Sequence, residues 1–133
     1  MKLSCNFDST MNIKKMLKSF GPAISGLIYL SKNENNFKFH LIAFLVVVIF
    51  GLMCNITRYE WCMVLISSSI VLLSEGINTA VERIADLVDT TNNPKIKVIK
   101  DVAAASVLIS ALFSIVIGIL IFFPYLKIHF FAV

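Results

Sequence analysis

Charged side chains are missing from two long stretches of this sequence, 39–57 and 102–126. They are thin elsewhere as well, making up 15% of 133 residues, where a soluble domain carries about 25%. With 58% hydrophobic residues and a mean hydropathy of +0.86, the composition excludes an ordinary soluble domain and indicates a membrane protein. The length leaves room for one small domain. The net charge is +4, yet the basic residues form no aromatic-interleaved patch, so no nucleic-acid partner is expected. The three cysteines, Cys5, Cys54 and Cys62, have neither zinc-type nor CxxC spacing. Cys54 and Cys62 flank the short NITRYEW loop and could pair only in an oxidising compartment; they read as apolar fillers. MKLSCNFDST has no apolar run ahead of its polar residues, so no cleavable signal peptide is expected. Walker A, GxGxxG and HRD motifs are all missing, which excludes nucleotide sites of the soluble-kinase type.

What remains is organised as helices. The segment 39–57, with LIAFLVVVIFGLMC at its centre, and the longer 102–126 can each cross about 30 Å of hydrocarbon. In lipid the backbone must satisfy itself, so both are expected to be α-helices and no sheet is expected. Between them WCMVLISSSIVLLS is a shorter apolar run, but its helical pattern continues through INTAVERIADLV. One long helix over about 60–90 would cross and then protrude, stopped by TTNNPK, with Pro94 restarting the chain near 96–126. Before the spans, over about 11–32, Ile13, Met16, Leu17, Phe20, Ile24, Leu27 and Ile28 recur at helical spacing opposite lysines. This predicts an amphipathic surface helix bent at Gly21-Pro22. Placing the N-terminus inside puts Lys14, Lys15, Lys18, Lys32, Lys38, Arg83, Lys95, Lys97 and Lys100 on the cytoplasmic side, against Arg58 and Lys127 outside. Tyr59, Trp61 and Tyr125 fit interfacial anchors. The expected fold is thus an all-α membrane protein with a surface helix and three spans, its N-terminus on the cytoplasmic side.

Against this apolar background LLSEGINTAVERIADLVD is anomalous. At about 100° per residue, Glu75, Asn78, Glu82, Asp86 and Asp89 fall on one stripe of a single helix. With Trp61 at the outer interface, a rise of about 1.5 Å per residue carries Glu75 roughly 21 Å inward, near the inner headgroups. Glu34 precedes the first span on that side, and Lys100 and Asp101 precede the last. Ionisable residues beside lipid are costly and mark sites. Magnesium takes oxygen ligands, often one or two carboxylates plus substrate phosphates; lysine neutralises phosphate; a further carboxylate can accept a proton from a hydroxyl. These parts suit phosphoryl transfer to a lipid alcohol. The same residues leave open a small transporter or ion conduit with a carboxylate proton relay, or a non-catalytic membrane adaptor.

EGINTAVERIAD closely resembles the signature E-x-x-N-[ST]-A-[IV]-E-x-x-x-D of the small bacterial membrane lipid kinases, the diacylglycerol and undecaprenol kinases. KSFGPAISGLIYLSKNENNFKFH is similar to their surface-helix segment, and IKDVAAASVLI to the K-D-x-A-A element opening the last span. The resemblance implies a homotrimeric, ATP- and magnesium-dependent kinase with sites shared between neighbours. Carried over, Glu75 is the catalytic base, Glu34 and Glu82 hold magnesium on ATP, and Asn78 and Asp86 support the stripe. Lys100 and Asp101 border the nucleotide phosphates, with Lys15 and Lys18 helping to neutralise them. Proteobacterial diacylglycerol kinases have an acid at His40 and a lysine at Ser25, whereas ENNFKFH looks closer to the undecaprenol kinase pattern ERNFRIH. The substrate implied therefore leans towards undecaprenol. His40, read from the residues alone, is an interfacial side chain.

Overall fold

A computed structural model describes residues 13–91 and 93–131, with side chains described over 20–91 and 93–127. Four helices follow in order: α1 (Ile13–Asn33), α2 (Asn35–Cys54), α3 (Arg58–Val88) and α4 (Pro94–Phe131); no strand occurs among the described residues. Three of them, α2, α3 and α4, are long and apolar enough to cross a membrane. At about 1.5 Å per residue the 31-residue α3 is about 46 Å long, so it overshoots a hydrocarbon core of about 30 Å by several turns. Those extra turns carry Glu82 and Asp86, with Glu75 just short of them.

The helices begin and end for local reasons. Asn55 closes α2 in the left-handed conformation (φ 48°), which asparagine tolerates better than most residues, and the N–H groups of Asn55 and Ile56 reach back to Leu52 and Gly51 carbonyls. Two residues later Thr57 opens α3 with a capping box: the Glu60 N–H donates to Thr57 Oγ1 at 3.4 Å, and the Thr57 N–H donates to Glu60 Oε2 at 2.7 Å. Asp89 ends α3 by folding the next turn around its carboxylate. Its Oδ1 accepts from the Thr91 N–H (2.8 Å) and Oγ1 (2.6 Å), and its Oδ2 from Asn93 Nδ2 (2.9 Å). Asp89, although on the acidic stripe, is thereby spent on the turn. α1 runs on through Gly21 and Pro22 to Asn33, and α2 starts at Asn35, ahead of the charge-free run, because polar residues can occupy a first turn outside lipid.

α3 and α4 form the most extensive helix pair, and α2 packs on α3 and more sparsely on α4. At the Trp61 end a small core gathers Ile56, Val64, Ile121 and Phe122 with Val47, Phe50 and Trp61 around it. Gly51 makes this possible, since a Cβ there would lie 3.0 Å from the Trp61 ring and 3.1 Å from Ile56. Tyr125 donates to Glu60 Oε2 (2.8 Å), closing that end. Both Cys54 and Cys62 are free thiols. Serines in the spans satisfy themselves on their own helix: Ser67 donates to the Val64 carbonyl, Ser69 to Leu65 and Ser110 to Val107. Only 11% of the α2 span and 17% of the α4 span are buried within one chain, so their apolar surfaces are left for lipid or for other copies.

Candidate active site

The end of the bundle opposite Trp61 is built differently. On α3, Glu75, Asn78, Thr79 and Glu82 stand at i, i+3, i+4 and i+7, the spacing that shares one helix face. The first three are buried, Glu75 at 3% exposure and Asn78 and Thr79 at 5%. A carboxylate removed from water this thoroughly is costly, and a stable fold offers little reason to retain it. The α1–α2 corner packs over this face where Gly76 leaves room: a Cβ there would meet Leu30 Cδ1 at 3.5 Å. That corner delivers Glu34, the N-cap of α2, whose side chain makes no cap hydrogen bond and instead accepts from Arg83 of α3 at 2.7 Å. Glu34 and Glu82 come within electrostatic range of Glu75, together with His40, and the Asn36 amide approaches it from α2. Asn78 Nδ2 donates to Glu82 Oε1 at 3.1 Å, leaving Asn78 Oδ1 buried with no partner among the described residues. One turn further along α3, Asp86 is ion-paired with Lys100 of α4.

Glu34, Glu75, Asn78, Glu82, Asp86 and Lys100, taken from two helices and one corner, thus stand together at one end of a single chain. Asp101 is exposed, turned by about 100° from Lys100 on α4, and the single chain does not bring it to the others. The side chains of Lys15 and Lys18 lie outside the described residues. Three neighbours escaped sequence reasoning. Thr79 and Asn36 are short polar residues whose roles depend on which face is covered. Arg83 had registered only as a cytoplasmic charge, because its partners Glu34 and Tyr29 are remote in sequence.

Among the described residues no three His, Cys, Asp or Glu side chains converge closely enough to hold a metal unaided. Glu34 and Glu82 each have one oxygen engaged by a nitrogen donor and the other unassigned. Two carboxylates from separate elements form a hard, incomplete donor set, which fits magnesium completed by substrate phosphates and does not fit a closed zinc site.

The sequence model of prokaryotic diacylglycerol kinases matches residues 21–122, most of the chain. The chain belongs to this family. Undecaprenol kinase of Bacillus subtilis (strain 168) is 34% identical over 117 residues, covering 88% of this chain and 95% of that protein. Diacylglycerol kinase of Synechocystis sp. is 28% identical over 104 residues, covering 77% of this chain and 59% of that longer protein. All the stripe residues, Glu34, Lys100 and Asp101 fall inside the matched segment, whereas Lys15 and Lys18 precede it. As a member of the prokaryotic diacylglycerol kinases with three membrane-length helices, the protein is a multi-pass membrane lipid kinase.

Proposed function

We propose that this lipid kinase transfers the γ-phosphate of ATP to the hydroxyl of a polyprenol of the undecaprenol type, at the cytoplasmic face of a bacterial inner membrane. The observation that carries the reading is Glu75: a carboxylate at 3% exposure on a membrane-length helix, flanked by Glu34, Glu82 and Asn78. The undecaprenol kinase match over nearly the full length of both chains, and the ENNFKFH segment, favour a polyprenol over diacylglycerol.

The lipid hydroxyl approaches Glu75 from the membrane. Its oxygen bonds to the γ-phosphorus, the bond from that phosphorus to the bridging oxygen breaks, ADP leaves, and the hydroxyl proton passes to the Glu75 carboxylate. Asn78, anchored through Nδ2 to Glu82, presents Oδ1 as a ready acceptor that can orient the incoming hydroxyl. Glu34 and Glu82 would hold magnesium with the nucleotide phosphates, and the ion supplies neutralisation of phosphate charge. Lys100, held by Asp86, and Lys15 and Lys18 add positive charge around the phosphates. Asp101, facing outward from α4, borders a nucleotide site completed by a neighbouring copy, in keeping with a homotrimer. On α1, Phe20, Ile24, Leu27 and Ile28 are all exposed at i, i+4, i+7 and i+8, a face suited to lying on the membrane, with the N-terminus cytoplasmic.

The test is direct. Purified protein in mixed micelles with γ-labelled ATP and magnesium is offered undecaprenol or diacylglycerol, and the labelled lipid is identified by chromatography. Labelled undecaprenyl phosphate as the dominant product is expected; label only in phosphatidic acid would reassign the substrate.

A further inference from the structure

Arg83 is the cation nearest the carboxylate cluster that the mechanism leaves unused. Glu34 and Glu82 both lie within electrostatic range of the buried Glu75, and repulsion among the three favours turning Glu34, the one on a corner rather than inside a helix, outward into solvent. Glu34 nonetheless stays at 19% side-chain exposure, accepting from Arg83 Nη2 at 2.7 Å. Arg83 is itself oriented: its guanidinium carbon lies 5.6 Å from the centroid of the Tyr29 ring, on the last turns of α1. Gly76 and Arg83 are seven residues apart on α3 and present one stripe to that same end of α1, where Leu30 packs. Tyr29, Arg83 and Glu34 therefore form a chain of contacts tying the surface helix to the acidic face of α3.

We propose that Arg83, seated on Tyr29, is a positioning residue that holds Glu34 in register with Glu82, so that the two carboxylates present one preformed oxygen pair to a metal-nucleotide. The hydrogen bond takes only one Glu34 oxygen, and the second stays available. Arginine suits this task because its planar fork can stack and donate at once, which an ammonium cannot do. The pair is half open to water, so its worth lies in geometry rather than in fold stability.

The inference rests on the lipid-kinase reading above, and two readouts separate their failures. The first is binding of Mn2+ with a non-hydrolysable ATP analogue to the detergent-solubilised protein, followed by electron paramagnetic resonance. The second is kinase activity as a function of magnesium. Arg83→Gln is expected to weaken Mn2+ binding about tenfold, the scale of losing a partner that orients a metal ligand, and to raise the magnesium midpoint in parallel while kcat at saturating metal falls less than about twofold. Tyr29→Ala should reproduce the shift in part and Tyr29→Phe should not, since the ring is kept. Arg83→Lys should recover only part of the affinity. Unchanged Mn2+ binding in an active Arg83→Gln protein, or a loss confined to kcat, overturns the inference alone. No lipid phosphorylation by the unaltered protein overturns the functional reading and the inference with it.

Discussion

Replacing Glu75 by Gln changes one atom in a side chain that is almost wholly enclosed, at 3% exposure, and leaves volume and shape intact. The amide removes a buried charge, so folding should not suffer and the melting temperature in detergent is expected to hold or rise. What is lost is the carboxylate proposed to take the lipid hydroxyl's proton, a contribution of about 10²–10⁴-fold for a positioned base. Turnover should therefore drop by at least about 10²-fold, while binding of an ATP analogue, which the proposal assigns to Glu34, Glu82 and Lys100, stays within about threefold of the unaltered protein. Glu75→Asp is the sharper companion. It keeps the carboxylate but retracts it by one methylene, a displacement of roughly 1 Å, enough to cost about 10²-fold where geometry is preset. The assay is initial-rate formation of labelled lipid phosphate in mixed micelles, paired with equilibrium analogue binding. Turnover within tenfold of the unaltered protein, or nucleotide binding lost while turnover survives, would refute the base assignment.

Other expectations concern the metal, the packing and the turn. Glu82→Gln should raise the magnesium concentration for half-maximal activity by about tenfold, read from a magnesium titration; an unshifted titration counts against a ligand role. Gly51→Ala pushes a methyl against the Trp61 ring at 3.0 Å and should destabilise the core at the Trp61 end by about 1–3 kcal/mol, seen as a lower melting temperature with the acidic site undisturbed. Asp89 lies just beyond the α3 span. The Thr91 hydroxyl, then the Asn93 amide and the Thr91 N–H, hold its carboxyl below the ordinary carboxylate range. A depressed value in the fold means that the stabilisation is present above the unfolded value, about 3.9, and is lost as pH falls through the folded one. Amide exchange at Thr91, corrected for intrinsic rates, should therefore accelerate below about pH 4 in the native protein and lose that acid dependence in Asp89→Asn.

The two charge-free runs made α2 and α4 visible in the sequence because a helix exposed to lipid shows its whole surface as apolar. α3 was harder: its apolar run is short, and what reveals it is the continuity of helical spacing from Trp61 to the acidic stripe. The start of α3 is set by the Thr57-x-x-Glu60 capping box inside NITRYEW, a segment whose polar residues between two apolar runs read as loop. Glu34, Glu75, Glu82 and Lys100 could be picked out because charge beside lipid is conspicuous. The stripe alone could not reveal that Asp89 is consumed by its own turn, nor that Arg83 grips Glu34 over Tyr29. Both depend on where the chain goes after the helix ends, which periodicity does not encode. Asn78 was singled out by position, but its role needed the structure, where one end of the amide is anchored and the other is left bare.

The central claim is that Glu34 and Lys100, remote in sequence, face the same water boundary on the cytoplasmic side. Cysteines placed singly at 34 and at 100, in a chain with Cys5, Cys54 and Cys62 replaced by alanine, can be probed with a membrane-impermeant maleimide in right-side-out and inverted vesicles. Labelling of both positions in inverted vesicles, and of neither in right-side-out ones, is the predicted result. Labelling of the two positions from opposite faces would contradict it.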